Sequence, residues 1–214
     1  MSQISAISST QRDPSRATIR VDRKHVATLT FKQIDALGLH VGQAWNDALA
    51  AQVAEAVAYD KAFRDATRRL ARRAMSTKML DDKLRDLGHD TAVRQRVLDR
   101  LIALQLLDDH AYGQALIRQT MRQKPAGPML LRQKLMQKGV DRSLIDALVH
   151  EATQDDDQQL QDAIALAQRK LAGMKRLEPA VRKRRLYGQL ARRGFTPDTI
   201  HSAFDALADR LLED

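Results

Sequence analysis

Residues 130–148 read LLRQKLMQKGVDRSLIDAL, two short helical stretches joined at Gly139, the first basic and the second largely apolar and mildly acidic. Such a pair either reads DNA bases or is one brick of a longer array, and the rest of the chain decides between the two. Aligned on their glycines, LDDKLRDLGHD from Leu80, LRQKLMQKGVD from Leu131 and LYGQLARRGFT from Leu186 each place Leu four residues after Leu and Gly four residues later. Gly88, Gly139 and Gly194 stand 51 and 55 residues apart. A second pattern precedes each unit: Ala62-Phe63 with Ala66, Ala111-Tyr112 with Ala115, and Ala163-Ile164 with Ala167. Two independent patterns recurring in one order indicate a repeat.

Each period therefore predicts three helices. The i, i+1, i+4 spacing puts the alanines on one face of a first helix, where small side chains permit close approach. The leucine pair marks the inner stripe of a second helix, and glycine supplies the left-handed conformation that ends it. Asp141 and Thr196 stand where N-caps of a third helix belong, with Pro197 at its first position. Ile145 and Leu148, and Ile200, Phe204 and Leu207, are its inward residues. Modules of this size have thin cores and gain stability from their neighbours. The expected fold is mainly α, with three tandem three-helix modules over residues 59–106, 107–153 and 154–214 forming an elongated, curved solenoid.

Before the repeats, residues 1–16 are polar and without periodicity and are expected to form a flexible tail. From Ala17, ATIRVDRKHVATLTF alternates about Asp22-Arg23-Lys24 as a β-hairpin does, with Ile19, Val21, Val26 and Leu29 apolar. A short helix stopped by Gly38 and the start of a longer one complete an amino-terminal element, residues 17–58. Trp45 and Tyr59 are expected to pack between this element and the first module.

Composition limits the function. Aromatic residues make up 4% of the 214 and cysteine is absent, so neither a disulfide framework nor a thiolate metal site is available, which fits a cytoplasmic protein. No apolar run is long enough to span a bilayer, so no membrane partner is expected. The formal net charge of +9 points to an anionic partner. It is not evenly spread: residues 1–60 sum to zero, whereas Arg68, Arg69, Arg72 and Arg73 cluster at helical spacing. In the middle module Arg118, Arg122, Lys124, Arg132, Lys134 and Lys138 crowd the first two helices. Residues 169–193 add Arg169, Lys170, Lys175, Arg176, Arg182, Lys183, Arg184, Arg185, Arg192 and Arg193 against Glu178 alone. The third helices carry Asp141, Asp146 and Glu151, and Asp198, Asp205 and Asp209. A base-reading helix-turn-helix would press those carboxylates against phosphates, so contact with the nucleic-acid backbone is expected instead. An acidic stretch, residues 151–162, is the candidate to shield a basic helix internally.

No catalytic constellation is evident. There is no phosphate-cradling glycine loop, and His25, His40, His89, His110, His150 and His201 lack partners at metal-ligand spacing. Asp155-Asp156-Asp157 and Asp108-Asp109 suit helix starts better than an ion site. No enzyme activity, metal or cofactor is expected.

LLDDHAYGQALIRQ followed by GPMLLRQKLMQKGV resembles the central signature of the RecX family of bacterial recombination regulators, and ARRAMSTKMLDDKLRDLG and LARRGFTPDTIHSAF resemble its flanking repeats. The likeness runs over about residues 17–210, with Ala74 where the family commonly has proline and Gly113 where alanine is usual. Asp108, Asp109, Tyr112, Gly127, Leu131, Lys138 and Gly139 match the signature, and most read as structural. The resemblance implies a protein that binds the RecA filament along its groove, lowers ATPase and strand-exchange activity, and also binds DNA on its own; the expected partners are the filament and single-stranded and double-stranded DNA, and the expected state is a monomer. Sequence-independent DNA or RNA binding without a recombinase, and a repeat scaffold for an acidic protein, are the alternatives.

Overall fold

A computed structural model describes residues 2–174 and 177–208, which form two compact units, Met1–Ala74 with Leu80–Leu107 and Met75–Met79 with Asp108–Asp214. The first unit opens with a three-stranded antiparallel sheet, β1 (Ile4–Ser9), β2 (Arg16–Val21) and β3 (Lys24–Thr30), in the order β1-β2-β3. Residues 4–9, expected within a structureless tail, are thus a strand. Ile4 is fully buried, Ile7 packs half-buried against the same core, and the backbone of Ile4 exchanges hydrogen bonds with Gln43 and Gly42, so two apolar residues and a paired edge order a polar segment.

Asp22 and Arg23, both at positive φ, make the tight turn between β2 and β3 that matches strand twist. Val26, expected on the apolar face, is 41% exposed, and Ala27 and Leu29 face inward instead. Three residues separate Val26 from Leu29, so a period of two cannot put both on one side, and the register shift beside Ile19 leaves Val26 out. Helices α1 (Phe31–Ala36) and α2 (Asp47–Leu70) cover the sheet through Ile34, Leu49 and Val53, with Trp45 half-buried against the same core. Tyr59 stacks on Phe63 at 6.0 Å between centroids. Arg16 and Asp60 tie sheet to helix in a bidentate pair at 2.9 and 2.7 Å, both side chains about nine-tenths buried.

The repeat continues as α3 (Thr77–Asp86) and α4 (Thr91–Ala103), then α5 (Asp109–Gln123), α6 (Pro128–Gln137) and α7 (Arg142–Thr153), then α8 (Asp156–Leu171), α9 (Pro179–Arg192) and α10 (Pro197–Asp205). Asp90, Asp108, Asp141, Asp155 and Thr196 each accept the cap bond that starts a helix. The leucine pairs Leu80/Leu84, Leu131/Leu135 and Leu186/Leu190 are buried, as are Ile145, Leu148, Ile200, Phe204 and Leu207.

In the first helices the structure corrects one register. Ala62 and Ala66, and Ala163 and Ala167, are fully buried, but Ala111 and Ala115 are exposed. The middle equivalents are Gly113 and Ile117, 51 residues after the first pair and 50 before the last. A side chain at Gly113 would meet Leu148, so glycine here serves close packing of α5 on α7, and α5 runs through it unbroken.

Within the second unit, helix starts are tied to helix ends. The Ser76 hydroxyl, just before α3, donates to the Lys138 carbonyl at the end of α6. At the corresponding place before α6, the Gly127 N–H donates to the Arg193 carbonyl at 2.9 Å and the Met129 N–H to the Gly194 carbonyl at 3.0 Å. Helix-start donors thus satisfy helix-end acceptors. Gly194, at φ +82°, has no room for a side chain against Leu130.

Candidate functional site

The cationic side chains fall into those that brace the fold and those left open. At the end of α2, Arg68 lies 3.7 Å from Asp65, Arg69 is half-buried, and Arg72 and Arg73 are exposed. The helix gives way at Ala71, so the expected four-arginine stripe becomes one helical pair followed by a turn. Asp65 also meets His89 Nε2 at 3.1 Å, and the His89 side chain is buried, so this histidine braces α2 rather than standing alone.

In the second unit, Arg118 and Arg122 project from α5 and Lys124 caps its end, all exposed. Lys134 on α6 and Lys138 at its end are half-buried. Lys183, Arg184, Arg185 and Arg192 lie exposed along α9. Among the described residues none of these nine has a carboxylate within ion-pair reach. Arg132 differs, because Asp146 of α7 sits 3.3 Å away. That exposed pair is a weak one and also neutralises one of the third-helix carboxylates.

Two expected contact residues are structural. Arg182 is 4% exposed and donates to the Leu177 carbonyl at 3.0 Å, because the helical period turns it inward beside Leu186. Arg193 donates to the Pro125 carbonyl at 2.7 Å and the Lys124 carbonyl at 2.6 Å, fastening the end of α9 to the segment just after α5. Burial pushes its guanidinium below the usual arginine range. Lys175, Arg176 and Asp209 lie outside the described residues.

The acidic stretch makes no ion pair with a basic side chain among the described residues. Asp155 caps α8, and Asp156 and Asp157 lie in its first turn, where the helix dipole favours negative charge. Asp198 and Asp205 stay exposed on α10. No group of three or more histidine, aspartate or glutamate side chains is placed to hold a metal, and no helix is long and apolar enough to cross a membrane, among the described residues.

Sequence reasoning missed the Arg16–Asp60–Arg64 network, where Arg64 approaches Asp60 at 3.1 Å. Asp60 raises the already high affinity of Arg16 for its proton through a side-chain hydrogen bond. The only sequence signal was a lone arginine opening a strand.

Comparison with known proteins agrees with the repeat. Models of the first, second and third three-helix domains of RecX match residues 62–101, 108–148 and 156–204. Relatives called regulatory protein RecX include one from Pelodictyon phaeoclathratiforme, 34% identical over 64% of this chain and 83% of its own. Another, from Halorhodospira halophila, is 35% identical over 71% and 91%. A crystal structure of regulatory protein RecX superposes with a TM-score of 0.83 at 23% identity, covering 98% of this chain and all of the other, which speaks for the fold.

Proposed function

The chain belongs to the RecX family, and from that premise we propose that it is a cytoplasmic, non-enzymatic regulator that binds the RecA filament on DNA as a monomer and slows ATP hydrolysis and strand exchange. The observation that carries the reading is the set of exposed cations on α5 and α9 with no carboxylate in ion-pair reach among the described residues. Holding like charges together without partners costs free energy that an external anion offsets. Phosphate oxygens of filament-bound DNA, or carboxylates of the recombinase beside it, supply that anion. Backbone contact explains the absence of an uncluttered recognition helix, since the third helices keep Asp198, Asp205 and Glu151 at their surfaces.

Titrating the chain into RecA filaments on single-stranded DNA, and following ATP hydrolysis, tests this. Hydrolysis falls to a plateau well below its starting rate; an unchanged rate at saturating protein overturns the proposal. The same open cations favour a second reading, sequence-independent nucleic-acid binding without a recombinase. On duplex DNA such binding loses affinity with a log-log salt slope of about −0.9 per phosphate neutralised. Inhibition of hydrolysis that persists at a salt concentration abolishing binding to free DNA rejects the second reading.

A further inference from the structure

The three modules share a surface position just after the first leucine of the second helix. In the first module it is Asp81, whose carboxylate holds Arg94 of α4 at 2.7 Å. In the second it is Arg132, paired with Asp146 of α7. Each thus joins second helix to third by an ion pair. In the third module the position is Tyr187, and its partner on α10 is His201, with ring centroids 6.1 Å apart and planes tilted by 41°. Phe204 backs Tyr187 from the core side at 6.5 Å. Tyr187 is 37% exposed, and His201 is exposed as well.

Cations frame this aromatic pair. Lys183 and Arg184 lie one helical turn before Tyr187 on the same face of α9, and the Lys183 ammonium rests 5.7 Å from the Phe204 ring. Further along α9 an Arg192 guanidinium nitrogen lies 3.4 Å from where a Cβ on Gly188, the residue after Tyr187, would stand. An aromatic face backed by a buried ring and bordered by unpaired cations fits a base with its flanking phosphates. Flat π-faces stack on any base, and cations alongside hold the backbone.

The carboxylates select the strand form. Asp198 and Asp205 lie three residues before and four after His201, on the same side of α10, so a phosphate chain is attracted along α9 and repelled along α10. A single strand passes with its backbone on the α9 side. A duplex brings a second backbone and keeps its bases stacked away from Tyr187.

We propose that Tyr187, with His201 beside it and Lys183 and Arg184 one turn before it, is a stacking platform for unpaired bases of single-stranded nucleic acid. This rests on the nucleic-acid contact proposed above and names its ligand. The test measures binding of an oligothymidylate of about 30 nucleotides and of a duplex of equal length to the full chain, to Tyr187→Leu and to Tyr187→Phe. Tyr187→Leu weakens single-strand binding about tenfold, Tyr187→Phe restores it, and duplex binding stays put. An oligothymidylate carrying 5-iodouracil, irradiated in the complex, attaches to the peptide containing Tyr187, a readout that a merely packing role would not give. Equal single-strand binding by Tyr187→Leu, or attachment elsewhere only, overturns the platform while leaving filament inhibition by the unaltered chain as the separate test of the broader reading. Thermal melting of both variants within a few degrees of the parent confirms that the loss is not unfolding.

Discussion

The two units spend similar numbers of basic residues in different ways. In the first, Arg16 and Arg64 converge on Asp60, Arg94 on Asp81, Arg96 on Glu55, Lys83 on Asp86 and Arg85 on Asp82, so that along residues 80–107 only Arg100 lacks a carboxylate within ion-pair reach among the described residues. In the second, Arg118 and Arg122 of α5 and Lys183, Arg184, Arg185 and Arg192 of α9 are exposed with no carboxylate within ion-pair reach among the described residues, and exposed carboxylates sit on α10 and at the start of α8. One helical brick therefore serves two purposes. Its leucines and glycine fix the geometry, and the polar residues at the same repeat positions decide whether a face is closed by internal pairs or left for an anion. Net charge alone would have hidden this, because it sums over both arrangements.

The comparison breaks first at its strongest internal pair. Arg16→Ala leaves Asp60 buried with only Arg64, and should lower stability by about 3 kcal/mol, seen as an earlier urea midpoint. Nucleic-acid binding per folded molecule should be unchanged, and a loss of binding in the folded fraction would show that the two kinds of cation are not separable. At the helix-end junction of the second unit, Gly194→Ala combines a disfavoured φ with a collision against Leu130 and should cost about 2 kcal/mol. Replacing Arg184 and Arg185 by Ala should leave the melting temperature within a degree or two and flatten the salt slope on duplex DNA by about 1.8, the effect of two phosphates. The matched change in the first unit, Lys83→Ala with Arg85→Ala, should move stability by under about 1 kcal/mol and leave the slope alone. Equal slopes for the two double variants would erase the distinction between the units.

Much of the architecture was legible because it depends on periodic apolar residues and on caps with local chemistry. Leu131 and Leu135, Asp141 with its Ser143 bonds, and Thr196 ahead of Pro197 each report their environment within a few residues. What escaped depends on partners far away in sequence. Ile4 orders a polar strand only because Val21 and Gln43 lie beside it, and Arg16 and Arg193 differ from surface arginines only through Asp60 and Pro125. The repeat itself masked the register of α5: two exposed alanines imitated the buried pair of the other modules, and the glycine that does their work looked like an interruption. Arg182 read as one of four consecutive basic residues, and the period of 3.6 that turns it inward was obscured by the charge of its neighbours.

The smallest expected effect concerns a device common to both units and so tests whether their difference lies in the cations. Asp13 and Asp141 each accept hydrogen bonds from the hydroxyl and backbone N–H of the serine two residues on, Ser15 and Ser143, and these bonds hold both carboxyls below the usual aspartate range. A folded-state pKa below the unfolded value gives stability that is present above the unfolded pKa and is lost as pH falls through the folded one. Asp141→Asn keeps an acceptor for the cap but does not titrate, so its melting temperature should nearly match the parent at neutral pH and fall less steeply below about pH 4. Asp13→Asn should behave alike in the other unit. Neither should alter affinity for nucleic acid, since a capping carboxylate faces its own backbone. A change in affinity on Asp141→Asn without one on Asp13→Asn would mean that the anions of the second unit, and not only its open cations, shape what binds there.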